Sequence, residues 1–135
     1  MKISTIKGVV GLLILFAVVG CSSTRPIYNV DTFLFPSDSV DKLSQVTLDE
    51  IAVATGVTQG WQLVADGPGR FVASRQDQSV SATADVMISM DSLDIKYRSS
   101  KNLGAGDGKI EPVYNSWIRK LKYGISDAVI EAAEE

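Results

Sequence analysis

The chain has 135 residues, with 13 Lys and Arg, 16 Asp and Glu, one Cys and no His. The missing imidazole excludes Ser-His-Asp and Cys-His catalysis and histidine metal sites, and the lone cysteine excludes an intramolecular disulfide. A formal net charge of -3 argues against a nucleic-acid partner, whose phosphates call for a basic surface.

Lys2 and Lys7 open the chain, Val9 to Val19 is apolar with Gly11 inside it, and Gly20-Cys21 comes next. A run this short falls below the ~20 residues that a helix needs to span a hydrocarbon core, so it reads as the apolar region of a cleaved signal. With its Val18-Val19-Gly20-Cys21 box, the stretch resembles a bacterial lipoprotein signal. That resemblance implies that residues 1–20 are removed, that Cys21 takes a diacylglycerol on sulfur, and that its new amino group is acylated, for example with palmitate. Two or three acyl chains, at ~0.8 kcal/mol per buried methylene, hold a domain on a bilayer. Ser22 in the sorting position implies, by the same resemblance, the outer membrane with the domain facing the periplasm. Taking Lys2 and Lys7 from the 13 basic residues leaves 11 against 16 acids, a mature net charge of -5.

Cys21 to Pro26 reads as lipidated cysteine plus polar spacer, and residues 27–135 as a single domain. Ile27, Tyr28, Val30, Phe33, Leu34 and Phe35 make residues 27–36 too apolar for a linker, and they are expected to lie extended along the domain edge. Thr47-Leu48-Asp49-Glu50 has the form of a capping box with Val46 and Ile51 at the staple positions, which predicts a helix over residues 48–58 ended by Gly56 or Gly60. The period then changes from 3.6 to 2. Trp61 to Ala65 and Arg70 to Arg75 flank Asp66-Gly67-Pro68-Gly69 as a hairpin. Val80, Ala82, Ala84, Val86, Ile88 and Met90 alternate with polar positions, and Leu93, Ile95 and Tyr97 repeat the pattern after an Asp91-Ser92 turn. A second helix opens at Pro112, where the missing amide costs no bond. Its apolar stripe runs through Tyr114, Trp117, Ile118, Leu121, Ile125, Ala128 and Ala132, with small Ala82 and Ala84 opposite. The expected fold is α+β: helix, four-stranded antiparallel meander, helix, with both helices on one face of the sheet.

Gly60-Trp61, Pro68-Gly69, the tract Tyr97-Arg98-Ser99-Ser100-Lys101-Asn102-Leu103, and Tyr114-Asn115-Ser116-Trp117-Ile118 with Leu121 and Ile125 after it occur in that order. On these motifs the chain is similar to a family of small, uncharacterised proteobacterial lipoproteins. The resemblance implies a fold and an address but no reaction. Members often carry Ile-His before the Tyr-Asn motif; here Ile110-Glu111 stands there, so no role of that histidine is carried over.

Gly106-Asp107-Gly108-Lys109-Ile110 matches the middle of an EF-hand loop, but with Gly108 as the loop glycine the first, third and twelfth positions are Leu103, Ala105 and Tyr114, which lack the acceptors calcium needs. Gly104, Gly106 and Gly108 fit neither a dinucleotide nor a P-loop spacing and read as turn-forming. No metal, cofactor or catalytic residue is assigned. Asp85, Asp91 and Asp94 are the carboxylates of an alternative reading, a small envelope hydrolase. Trp61, Tyr97, Tyr114 and Trp117 each fall on an apolar face and read as core. The favoured reading is a non-catalytic envelope binding or structural module, tethered to the membrane through Cys21, with an anionic envelope component or an envelope protein as partner. Seven of the 11 mature basic residues (Lys96, Arg98, Lys101, Lys109, Arg119, Lys120 and Lys122) fall in one span that holds only Asp107 and Glu111 as acids. Arg119, Lys120 and Lys122 read first as a solvated outer helix face; on the other reading the backbone amides at Gly106 and Gly108, with Lys101 and Lys109 and the start of the second helix, are the candidate anion-binding set.

Overall fold

The first helix begins one turn earlier than the Thr47 box implies. In the computed structural model, which describes residues 23–36 and 42–134, α1 spans Gln45–Thr58 and its N-cap is Ser44. The Ser44 hydroxyl accepts from the Thr47 amide at 3.2 Å, so Thr47 supplies the capped amide instead of the cap. Val46 is no staple: it lies inside the helix and is 67% exposed. Ser44 and Thr47 are both competent caps. A contact remote in sequence favours the earlier start, because Gln45 Nε2 donates to the Ile88 carbonyl and to Asp49 Oδ1, each at 2.8 to 2.9 Å. At the other end Gly60 takes φ +87. The Trp61 amide donates to the Gly56 carbonyl at 2.7 Å and the Gly60 amide to that of Val57 at 3.1 Å, a Schellman closure. It delivers Trp61, 2% exposed, straight into the core.

Four strands come next in a meander: β3 (Gln62–Ala65), β4 (Arg70–Asp77), β5 (Val80–Ile88) and β6 (Ser92–Lys101). The sheet nevertheless has five strands, antiparallel throughout, because β2 (Val30–Leu34) pairs with β6 to give the order β2-β6-β5-β4-β3. The added edge strand comes from the segment expected to lie extended there. It pairs Val30 with Ile95 and Phe33 with Leu93, with a break in register between them. Thr32 sits in that break at φ 51, its amide donating to Asp94 Oδ1 at 2.8 Å. The irregularity hides the strand from a period-2 reading, and only the open edge of β6 gives it a partner. A second irregularity lies in β6, where Ala84 faces Tyr97 but Thr83 faces Ser99, leaving Arg98 as the extra residue of a bulge. Beyond it β6 continues to Lys101, so the stretch from Ser99 to Ile110 is less irregular than its composition implies.

Ala82, Ala84, Val86, Ile88, Leu93 and Ile95 form one cluster with Leu48 and Ala52 of α1 and with Tyr114, Trp117, Ile118, Leu121, Ile125 and Val129 of α2 (Pro112–Glu134). The alternating residues of the meander thus meet buried residues of both helices. Two expectations at the ends of these elements are corrected. Met90 is 54% exposed, because β5 stops at Ile88 and the chain turns back through Ser89 to Ser92. The last turns of α2 bury Val129 and Ala133 in place of Ala128 and Ala132: from Leu121 onward the buried apolar residues recur every fourth position, so the buried face winds about 40° round the helix at each step instead of following the straight 3.6-residue stripe.

A small two-stranded sheet completes the fold. Its strands are β1 (Arg25–Pro26) and β7 (Lys109–Ile110), with Arg25 opposite Ile110 and Pro26 opposite Lys109. Two residues of the expected spacer are therefore part of the domain. Asn115, 4% exposed on α2, clamps the chain on either side of Ile27. Its Oδ1 accepts from the Tyr28 amide and its Nδ2 donates to the Pro26 carbonyl, both at 2.9 Å.

Candidate functional site

The glycine-rich stretch folds as a tight hairpin. Asp107 and Gly108 take φ 53 and 74, while the Gly106 amide donates to the Lys109 carbonyl at 3.0 Å and the Lys109 amide to that of Gly106 at 2.9 Å. Two central residues at positive φ make the primed turn for which Asp-Gly is favoured. The Glu111 amide is also committed, to the Leu103 carbonyl at 2.9 Å. Of the amides expected to converge on an anion, that of Gly106 is thus spent on a backbone acceptor, as are those of Lys109 and Glu111. Lys101 ends β6 opposite Ser81, whereas Lys109 begins β7 opposite Pro26. The Glu111 carboxylate lies close enough to Gly104 that an added Cβ there would sit 3.9 Å from its Oε2. An acid at that position opposes a second negative charge. Cys21 and Ser22 lie outside the described residues.

The three carboxylates of the hydrolase reading have structural partners. Asp85 pairs with Arg98 Nη2 at 3.0 Å, Asp94 accepts from the Thr32 amide at 2.8 Å, and Asp91 accepts from Ser89 Oγ at 2.8 Å. Among the described residues no group of three or more Cys, Asp or Glu side chains is placed to hold a metal ion, and no helix is long and apolar enough to cross a membrane.

Of the four aromatic residues read as core, Trp61, Tyr114 and Trp117 are buried and Tyr97 is half-buried. Tyr97 meets Tyr114 edge-on at 5.4 Å and bonds Ser100 Oγ through its hydroxyl at 2.8 Å. Burial, with Tyr97 beside it, pushes the Tyr114 phenol well above the ordinary tyrosine range.

Arg119, Lys120 and Lys122, three of the clustered basic residues, divide between two surfaces. On one, Arg119 stacks over the Tyr28 ring at 4.8 Å. Lys122 Nζ stands 4.8 Å from the Phe33 centroid and 4.7 Å from that of Tyr123. It donates to Tyr28 Oη at 3.1 Å, and that bond raises the lysine above its usual range. Together these contacts pin the segment before β2 to α2. Beside them Arg25 and Arg119 line an open groove of about 530 Å³.

On the other surface lies a pocket of about 290 Å³ lined by Thr58, Gln59, Gly60, Arg75, Trp117 and Lys120. Trp61 and Trp117 meet edge-on at 6.4 Å. The Arg75 guanidinium lies over the Trp117 ring at 4.4 Å and donates through Nη1 to the Gln59 carbonyl. Gly60 permits this approach, since a Cβ there would meet Nη1 at 2.5 Å. Sequence reasoning missed Arg75 although a signal was present. Phe71, Ala73 and Arg75 share the inward-facing positions of β4, so the run closes on an inward-pointing cation.

Compared with known proteins, the chain matches no protein-family model, no curated protein and no solved structure.

Proposed function

We propose that the chain is a lipid-anchored, non-catalytic binding or structural module of the bacterial envelope, held at the outer membrane through Cys21 and facing the periplasm. The Val18 to Cys21 box supplies the anchor in this reading. The observation that carries it further is the pairing of Arg25–Pro26 with Lys109–Ile110. Only Ser22 to Thr24 separate the cysteine from β1, and from Cys21 to Arg25 the chain spans at most about 14 Å when fully extended. A leash this short keeps one end of the domain at the headgroups, so Arg25, Lys109 and Arg119 are the basic residues best placed to meet anionic lipid. The alternative, a hydrolase using paired carboxylates, gains nothing from Asp85, Asp91 and Asp94, each of which has a structural partner.

The anchor is tested by metabolic labelling with a fatty-acid analogue. Wild-type protein is expected to take the label and fractionate with the outer membrane, while Cys21→Ser remains an unlabelled precursor. Equal labelling of the two proteins would overturn the reading.

A further inference from the structure

We infer that the pocket formed by the C-terminal end of α1, the end of β4 and the middle of α2 binds a small anionic group, a carboxylate or a phosphate, through Arg75 and Lys120. The inference does not depend on the lipid anchor, and its residues differ from the glycine-loop set. The six lining residues include two cations and no acid. Among the described residues the ion pairs are Lys96 with Asp31 and Arg98 with Asp85, so neither Arg75 nor Lys120 has a carboxylate partner. Arg75 is half-buried, and its Nε is enclosed without a hydrogen-bond acceptor. The buried indole Nε1 of neighbouring Trp61 is likewise unpartnered.

The bond from Arg75 to the Gln59 carbonyl caps α1 and accounts for where the side chain lies. It leaves most of the charge unmatched. A helix C-terminus presents about half a negative charge, against two full positive charges from Arg75 and Lys120. Nor does that cap involve Lys120, which approaches from α2. The Trp117 ring at 4.4 Å and the bond from Nη1 to Gln59 hold the guanidinium in place, and with Nε enclosed the N–H groups left for carboxylate or phosphate oxygens are those of Nη2 and the second of Nη1. A volume of about 290 Å³ sits at the small end of ligand pockets, so the ligand is a small anion or the charged tip of a larger molecule.

The chain contains two tryptophans, Trp61 and Trp117, and both belong to this cluster. Intrinsic fluorescence therefore reports on the pocket. The full chain in detergent is titrated separately with sodium phosphate and sodium acetate at pH 7, with chloride keeping ionic strength constant. A saturable change with one or both anions, absent with chloride, is expected, and the arm that saturates identifies the chemistry. Lys120→Gln, at an exposed position, should weaken the apparent Kd about tenfold, as expected for the loss of one charge-assisted contact. Arg75→Gln should abolish the response, and Arg75→Lys should restore it in part. Circular dichroism checks that each variant is folded; where Arg75→Gln unfolds for want of the α1 cap, Lys120→Gln decides. No anion-specific change, or an unaltered curve in Lys120→Gln, overturns the inference.

Discussion

Replacing Asn115 by Leu tests whether one buried amide holds the N-terminal segment on the domain. The orientation of that amide is unambiguous, because the Pro26 carbonyl can only accept and the Tyr28 amide can only donate. Leucine has nearly the same shape and removes both bonds at once. A buried group left unpaired costs ~1 to 3 kcal/mol; both contacts are only partly buried, so the low end applies, about 1 to 1.5 kcal/mol each. The sum, about 2 to 3 kcal/mol, should appear mainly as easier local opening of residues 25–28. Amide hydrogen exchange reads this directly. Protection at Tyr28 should fall about 30- to 150-fold, and protection at Val86 in the central strand β5 far less. Asn115→Asp keeps an acceptor for Tyr28 but loses the donor to Pro26, so it separates the two contributions. Tyr28 protection within about threefold of wild type in Asn115→Leu would refute the reasoning. It would mean that packing of Tyr28 under Arg119 and Lys122 holds the segment without the amide.

Trp117→Ala removes a side chain that is 6% exposed and touches both Trp61 and Arg75. It should cost ~3 to 5 kcal/mol, measured as a lowered denaturant midpoint, and an unchanged midpoint would contradict the core assignment. Tyr114 makes stability sensitive to alkali. The fold favours its neutral phenol, so its contribution is intact below the unfolded tyrosine value near 10 and declines as pH rises above it, where the unfolded chain releases the proton first. Denaturant midpoints at pH 8 and 10.5 should therefore diverge more in wild type than in Tyr114→Phe. Equal losses in both proteins would remove Tyr114 as the cause.

The parts of this protein legible from sequence alone are those whose signals are local. Alternation through Val80 to Ile88 and Leu93 to Tyr97, the Asp66 to Gly69 turn, and the stripe from Tyr114 to Ile125 are patterns of period 2 and 3.6, and the structure keeps each of them. Gly106 and Gly108 are local signals as well: they read as turn-forming, and the chain turns tightly between Gly106 and Lys109. The features that tertiary structure alone decided depend on partners distant in the chain. Ser44 starts α1 where Gln45 reaches Ile88, β2 becomes a strand because β6 has an open edge, and Asn115 closes on Pro26 and Tyr28 across most of the domain. The meeting of Arg75 and Lys120 is of the same kind. Composition locates basic residues along the chain, but the crossing of β4, α1 and α2 sets which of them share a pocket. Like charges come together only where packing of the uncharged surfaces around them outweighs their repulsion.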